Sequence, residues 1–415
     1  MAALPGRGFS VNVLVVNCGS SSIKYSLLAM ADGGEPQVLA SGLIERIGEE
    51  ASGLRHEAGG NQIRREVQAP DHEAAFGLMV RALTEGDGAA IAGPDAIDAV
   101  GHRVVHGGER FAESTRLDDA VIAAIEACAN LAPLHNPPNL TGIRAAMHLM
   151  PRVPHVAVFD TSFHQTLEPH AFLYALPYEL YTEHRIRRYG FHGTSHRYVA
   201  GEAARMLGRP PAEVNLITLH LGNGCSAAAV RGGKSVDTSL GMTPLEGLVM
   251  GTRSGDIDPA IIFHLVRSLG MGVDEVDDLL NRRSGLLGVS GVSNDMREVL
   301  RAAGEGNERA ELALAIFCHR LKKYIGAYTA ELGQVDALVF TGGIGENAAY
   351  IRRRTCEGLA PLGYVLDDVR NEADTRAARD VAADASPTRI LVIPTDEEAM
   401  IARDTAHIAA LPQDG

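Results

Sequence analysis

Cysteine is scarce in this chain and shows no pairing pattern. Five cysteines are spread over 415 residues, at 18, 128, 225, 318 and 356, and none belongs to a C-x-x-C pair. A disulfide framework and a structural zinc site are therefore not expected, and a reducing cytoplasm is the setting that fits. Long apolar runs are missing too: no stretch of 18 uninterrupted apolar residues occurs, so no transmembrane helix is expected. The first ten residues, MAALPGRGFS, carry no apolar core of a secretory signal. Positive charge is in deficit, with 38 Lys and Arg against 52 Asp and Glu and a formal net charge of −14. That balance argues against non-specific binding to nucleic acid or to an anionic membrane surface. An anionic ligand would have to be held by a locally basic pocket. No segment is of low complexity.

Hydrophobic residues make up 46% of the chain, enough for a sizeable core in two ordinary domains or one large unit. Apolar strand-like runs at 11–16, 153–159, 214–221, 335–340 and 390–394 alternate with helical patterns at 118–130, 140–150 and 307–332. The fold class read from this alternation is α/β. In the last helix Phe317, Leu321, Tyr324, Tyr328 and Leu332 keep helical spacing. Such a stripe reads as core or subunit interface rather than a cofactor site. The stretch 367–388 reads as a solvated helix and loop.

The run VNVLVVNCGSSSIKYSLL (11–28) goes from an apolar strand through a small polar turn into period-two alternation, so the turn joins two strands. VNLITLHLGNGCSAAAVRGGKS (214–235) repeats that plan, which points to a duplicated domain. Three glycine-rich turns each follow an apolar strand: NCGSSS (17–22), HLGNGCS (220–226) and TGGIGEN (341–347). Consecutive N–H groups in such turns can cradle anions, and strand ends are where open α/β sheets bind ligands, so a polyphosphate is expected. GGKS (232–235) mimics the end of a Walker A loop, but Ala228 stands where that loop needs glycine. Gly343-x-Gly345-x-x-Ala348, with Asp367 downstream, meets much of the dinucleotide fingerprint, leaving an NAD-dependent oxidoreductase as an alternative. His192 and His196 have the spacing of two metal ligands on a helix, a zinc-hydrolase reading, although Gly193, Thr194 and Ser195 look like a helix cap. Arg103 and Arg253 sit among glycines and small polar residues, where a guanidinium fork can reach a carboxylate or phosphate.

Taken together, VLVVNCGSSSIKY, GHRVVHGGE, LAPLHNPPN, FDTSFHQT, YGFHGTSH, HLGNGCS, GMTPLEGLVMGTRSGDIDP, GGIGEN and PTDEE resemble the acetate kinase family, in that family's order and over residues 11–405. The resemblance implies duplicated ribonuclease H-like domains of the actin and sugar-kinase type, with the active site in the cleft between them. The implied division is 1–159 with 396–415, and 160–395 as the nucleotide-binding domain. It also implies a cytoplasmic homodimer using ATP/ADP and Mg²⁺, with Mn²⁺ as a substitute, and reversible phosphoryl transfer from ATP to acetate to give acetyl phosphate. Propionate is the alternative acceptor, and a phosphate sensor without catalysis is the non-enzymatic one. Cys18, Asp396 (Asn is common there) and the extension 1–10 depart from the family pattern.

Residue by residue, the resemblance implies that Arg103 and Arg253 bind the acetate carboxylate and the equatorial phosphoryl oxygens. His192 donates to the same oxygens, and His135 supports the acetate end. Val105, Leu134 and Pro244 wall the methyl group. Asn17 and Glu397 hold Mg²⁺, and Asp160 orients Arg253 or a metal-bound water. Ser20, Ser22 and Lys24 on the first hairpin, with His220, Leu221, Gly222, Asn223 and Gly224 on the second, face the phosphates. Asp295, Met296, Arg297, Gly343, Ile344, Gly345, Glu346 and Asn347 match the adenosine-binding region, which reinterprets the dinucleotide fingerprint. Acetate, with a pKa of about 4–5, is ionised at neutral pH and needs no general base. Positioning and electrostatic stabilisation are then the main catalytic tasks, and direct in-line transfer is expected over a phospho-enzyme.

Overall fold

The structure is a computed structural model that describes residues 11–31, 35–132 and 135–410. The chain forms two compact units. One runs up to Ser162 and resumes at Asp396; the other is Phe163–Thr395.

In the first unit the valine-rich run folds as β1 (Val11–Cys18) and returns as β2 (Ser22–Met30). β3 (Gln37–Glu45), β4 (Ser52–Ala58) and β5 (Asn61–Val67) extend the meander, and β6 (Ala99–Val104), β7 (Thr115–Arg116) and β8 (His155–Phe159) complete the sheet. The strand order is β5-β4-β3-β2-β1-β6-β8-β7, with β6 parallel to both β1 and β8. Two faces of β1 need cover. Leu14 and Val16 pack with Ile23, Phe76 and Met79 beneath α1 (His72–Thr84) and with Ala146 of a helix further on. Val13 and Val15 pack with Val156, Val158, Ile401 and Ala402, the last two from the helix Glu397–Ala409. That helix lies very close to β6: a Cβ at Gly101 would sit 2.3 Å from Thr405 Oγ1 and 2.8 Å from Ile401 Cγ2. α2 (Asp119–Ala127) and α3 (Asn136–Leu149) flank β8 through Ile125, Leu140, Ile143 and Phe159.

The second unit repeats the plan. Its strands are β9 (Asn215–Leu221), β10 (Cys225–Arg231), β11 (Lys234–Thr238), β12 (Ala337–Thr341), β13 (Arg379–Asp380) and β14 (Arg389–Val392), in the order β11-β10-β9-β12-β14-β13. β11-β10-β9-β12-β14 matches β3-β2-β1-β6-β8 in order and in direction, so the duplication suggested by the sequence echo is present. The GGKS segment is the tight turn of β10 and β11, with Gly232 and Gly233 at φ +57° and +78°, and not a phosphate loop before a helix. The helix Gly193–Met206 covers one face through Val199, Ala203 and Ala204. The helix Glu308–Leu332 buries Phe317, Leu321, Tyr328 and Leu332, so most of the aromatic stripe is core. No helix among the described residues is long and apolar enough to cross a membrane, and all five cysteines are free. Residues 1–10 and Leu134 lie outside the described residues.

Gly101→Ala should destabilise the first unit by about 1–3 kcal/mol, because the new methyl must displace buried Thr405 or Ile401. Gly77→Ala, mid-helix in α1 with only Arg81 Nη1 at 3.6 Å, should instead stabilise by up to about 1 kcal/mol. Urea titrations of the two variants check this pair of opposite signs.

Candidate active site

In the first unit the tip between β1 and β2 is a tight turn in which the Gly19 N–H donates to Ser22 O at 2.8 Å. His72 Nε2 donates to Gly19 O at 2.9 Å and holds the tip from α1. Ser20 is exposed and Ser22 half-buried there. Lys24 points elsewhere: its Nζ pairs with Glu398 at 2.5 Å, at the first turn of the helix Glu397–Ala409.

Arg103 is the penultimate residue of β6 and Asp160 follows β8. Parallel pairing sets the strand ends side by side, and the guanidinium grips the carboxylate through Nε at 3.1 Å and Nη2 at 2.6 Å. Asp160 is expected to orient Arg253 or a metal-bound water; within its own unit the guanidinium it holds is that of Arg103. Asp160 first, and Glu397 more weakly, raise the hold of Arg103 on its proton, against the lowering by burial. A bidentate, charge-assisted pair of this kind fixes direction as well as charge. Val105, two residues after Arg103, is buried. Its loop is pinned by side chains the sequence reading did not single out. Asn139 Oδ1 accepts from Val105 N and its Nδ2 donates to Cys18 O at 2.7 Å, while Asn136 Oδ1 accepts from His106 N and its Nδ2 donates to His106 O. Thr161 Oγ1 accepts from Gly107 N. Both asparagines belong to the quoted NPPN run, where Pro137 and Pro138 take the first helical positions that need no N–H. His135, just before α3, is exposed, and its charge acts on Asp160.

Asn17 stands half-buried one residue before the end of β1, and Glu397 opens the last helix, capped by Asp396, whose Oδ1 accepts from Ala399 N at 2.8 Å. Asp and Asn cap helices about equally well, so the departure at 396 keeps the structural role. Among the described residues no three His, Cys, Asp or Glu side chains form a ready-made metal cage. Carboxylate and amide oxygens at Glu397 and Asn17 fit Mg²⁺, a hard ion that keeps several waters and leans on substrate phosphates.

In the second unit His192 caps the helix Gly193–Met206 with left-handed backbone, φ +56° and ψ +25°, a sparsely used state for a residue with a side chain. Gly193, Thr194 and Ser195 form the first turn of that helix rather than its cap, and both histidines of the supposed zinc pair bond to one hydroxyl, Ser226 Oγ. The ring of His192 stacks on His220, centroids 4.3 Å apart. Arg253 is half-buried and donates through Nη1 to Pro244 O at 2.6 Å. Among the described residues no carboxylate pairs with it, and burial lowers its proton affinity. Gly224 is the point of convergence: a Cβ there would lie 2.9 Å from Arg253 Nη2 and 3.4 Å from His192 Nε2. Asn223 is set by Asn294, whose Nδ2 donates to its Oδ1 at 3.0 Å, and by Gly251, whose N–H donates to its carbonyl.

A pocket of about 570 Å³ opens in this unit, lined by Gly222, Asn223, Asp295, Met296, Arg297, Gly343, Ile344 and Asn347 together with Asn294, Leu300, Ala348 and Arg376. It gathers eight of the expected phosphate and adenosine residues. Asp295 caps its helix and pairs with Arg297 at 2.5 Å; that side-chain bond leads in holding its carboxyl at about 2. Three other residues of the motifs, Gly345, Glu346 and Leu221, make structural contacts. Gly342–Asn347 is a short helix rather than an open turn. Gly345 and Glu346 give their carbonyls to buried Arg352, and Glu346 Oε1 accepts from Thr395 N. Leu221 is fully buried beneath Gly342.

The repeated strand order and the nucleotide-sized pocket define a duplicated α/β protein of the ribonuclease H-like type. Comparison with known sequences and structures narrows this further. The profile of the Acetokinase family matches residues 12–403, and the chain belongs to that family. It is 57% identical over 398 residues to an acetate kinase of Leifsonia xyli, covering 96% of this chain and 99% of that one. It is 55% identical over 395 residues to an acetate kinase of Streptomyces avermitilis, covering 95% and 96%. Among solved structures, Porphyromonas gingivalis acetate kinase matches with a TM-score of 0.92 at 47% identity, covering 96% and 99%. A propionate kinase from Francisella tularensis matches with 0.89 at 44%, covering 96% and 100%.

Burial keeps His164 and His196 neutral, with His164 pushed down to about 4. The unfolded chain binds protons on these rings below about 6.5 and the folded chain does not, so stability falls as pH drops from 7 toward 4. A loss on the order of 1–2 kcal/mol from His164 alone is expected between pH 7 and 5. Urea midpoints measured across that range should fall less steeply in His164→Gln.

Proposed function

We propose that the chain is an acetate kinase, transferring the γ-phosphoryl group of ATP reversibly to acetate to give acetyl phosphate and ADP. The observation that carries this reading is the 57% identity to an acetate kinase over nearly the whole of both chains. The geometry supports it. The nucleotide-sized pocket leads through Gly222 and Asn223 to Gly224, where Arg253 and His192 converge. Acetate arrives as its anion, so no residue has to remove a proton. What must be overcome is repulsion between two anions, and the residues suit that task. In this reading Arg253 donates to the transferring phosphoryl oxygens, with His192 and the Asn223 amide beside it. Arg103, held by Asp160, takes the acetate carboxylate, and His135 supports it. Val105, Pro244 and Leu134 line the methyl site. Ser20 and Ser22 face the phosphates. Glu397 and Asn17 would hold Mg²⁺, for which Mn²⁺ can stand in; when bound, the ion neutralises developing charge on the phosphates. Transfer is in line and direct, because an acceptor already ionised gains little from a second anionic intermediate. Inversion at an isotopically chiral γ-phosphate is the expected outcome, and net retention would replace this route with a phospho-enzyme.

A coupled assay for acetyl phosphate from ATP and acetate tests the activity. Because a propionate kinase is among the structural relatives, propionate belongs in the same assay. Acetate should be preferred by roughly tenfold or more, the worth of one methylene in a tight apolar pocket. Arg103→Ala and Arg253→Ala should each lower kcat by about 10²–10³-fold with unchanged circular dichroism, and lysine should restore only part, since it keeps charge but loses the fork. Near-full activity in either alanine variant would remove that arginine from the site.

The reading includes a homodimer in the cytoplasm, a setting that suits five free cysteines. The helix Ala260–Leu269 buries none of its residues and exposes Ile261, Phe263 and Leu269, with Leu176 and Tyr178 also exposed. An apolar face of that kind fits a second copy. Light scattering should give twice the chain mass, and Phe263→Glu should shift it toward one; a monomeric parent would end the dimer proposal.

A further inference from the structure

Behind His192 lies a chain of side chains that does not touch the pocket. Its Nδ1 meets Ser226 Oγ at 2.9 Å. The same oxygen meets His196 Nε2 at 2.7 Å, and His196 Nδ1 meets Thr218 Oγ1 at 2.7 Å. Ser226, His196 and Thr218 are fully buried, on β10, the first turn of the helix Gly193–Met206, and β9. Neither Ser226 nor His196 belongs to the set of residues assigned to substrate, nucleotide or metal. Three adjoining hydrogen bonds link four groups, and protons can be placed along them in a limited number of ways.

We propose that Ser226 and His196 are positioning residues that fix the tautomer of His192, so that its Nε2 carries the hydrogen presented to the transferring phosphoryl group. Donor bookkeeping allows two orders of hydrogens along this chain, and the anion proposed beside His192 selects one. The edge of His192 that faces Gly224 and Arg253 is the Nε2 edge, since that atom lies 3.4 Å from a Cβ built on Gly224. For neutral imidazole, a hydrogen on Nε2 makes Nδ1 an acceptor, so Ser226 must donate to it. The Ser226 oxygen then accepts from His196 Nε2–H. His196 is held neutral by burial, with His164 at its edge and His220 nearby adding repulsion, so it carries one hydrogen only. Its Nδ1 therefore accepts from the Thr218 hydroxyl. Every link is satisfied, and all the hydrogens point one way, from β9 toward His192. The opposite order would put a lone pair of His192 against anionic oxygens. Hydroxyls and a neutral imidazole, rather than a carboxylate, suit this place because they fix a hydrogen without adding negative charge beside a phosphate. The left-handed backbone of His192 has the same purpose of orientation: it swings the ring out of line with its helix so that the two ring edges face Ser226 and Gly224.

This inference rests on the role proposed for His192 in phosphoryl transfer, but its test does not rest on activity alone. In protein labelled with ¹⁵N-histidine, His192 of the resting parent enzyme should show protonated Nε2 and unprotonated Nδ1. Ser226→Ala should mix the tautomers and lower kcat by about 10–100-fold, the usual worth of a group that orients a functional histidine, with KM for ATP and acetate little changed. His196→Gln keeps an N–H donor at the position of Nε2 and should retain most activity, whereas His196→Leu should fall with Ser226→Ala. An unchanged His192 spectrum and kcat in Ser226→Ala would overturn the proposal, as would equal losses in His196→Gln and His196→Leu, which would reduce His196 to packing. If the parent enzyme makes no acetyl phosphate, the functional reading falls, while the tautomer comparison still decides whether Ser226 orients His192.

Discussion

Parallel strands must end on the same edge of their sheet, and the arrangement of both units follows from that. β1, β6 and β8 run in one direction, as do β9, β12 and β14. Each strand buries its apolar residues on both faces, so chemistry can leave the core only at the carboxyl ends. Asn17, Arg103 and Asp160 stand at or just past those ends in one unit; His220 and the glycines after it, Gly342 and Thr395 stand there in the other. The antiparallel strand on the flank of each set, β2 or β10, returns at once and so exposes a hairpin tip rather than a long crossover. Gly101 shows how tightly this is built. Any larger residue at position 101 would press on the helix that carries Glu397.

The two arginines illustrate how one residue type acquires different tasks. Arg103 faces Asp160 in a bidentate pair, so its charge is locally compensated and its direction is fixed. Arg253 is half-buried against a carbonyl with no carboxylate among the described residues to answer it. A desolvated cation of this kind gains most from an incoming anion, because the anion supplies what the fold withholds. The net charge of −14 is no obstacle, since exposed charges are screened over about 8–10 Å while a partly buried guanidinium acts at contact. Local desolvation, not overall charge, is what would let this acidic chain hold the polyphosphate proposed for it.

What the sequence disclosed, and what it kept hidden, divides along physical lines. Period-two patterning and turn residues are local, so the hairpins and their duplication were legible, as were Gly222 and Gly343 as glycines of strand-end turns, which line one pocket. Side-chain partners depend on strand neighbours far away in the chain, and a local pattern does not disclose them. Asp160 takes Arg103 because β6 and β8 are adjacent, and Lys24 turns to Glu398 across more than 370 residues. Gly345 reads like a phosphate glycine, yet its Cβ position would crowd Phe340 and its carbonyl serves Arg352, whose buried guanidinium no local pattern announces. Asn136 and Asn139 stood in a quoted motif without a role, since only the folded loop shows that their amides complete the backbone of Val105 and His106.

The buried histidines carry the last step. His164 bonds Ser235 and the Phe191 carbonyl, His196 bonds Thr218 and Ser226, and both sit beside the backbone turn at Gly190–His192. Apolar residues of similar size would cost less to bury and would resist acid better. They could not choose a hydrogen position. An acceptor that is already ionised frees the site from any need for a base, so histidine is not required there as a proton carrier. What the proposed reaction asks of it is a hydrogen of fixed direction, and a ring fixed at one nitrogen can offer that only if something fixes the other. The acid sensitivity of these rings and the ordering of the hydrogen bonds around them are then consequences of one choice: the unit keeps its interior imidazoles neutral, and their hydroxyl partners decide which edge donates.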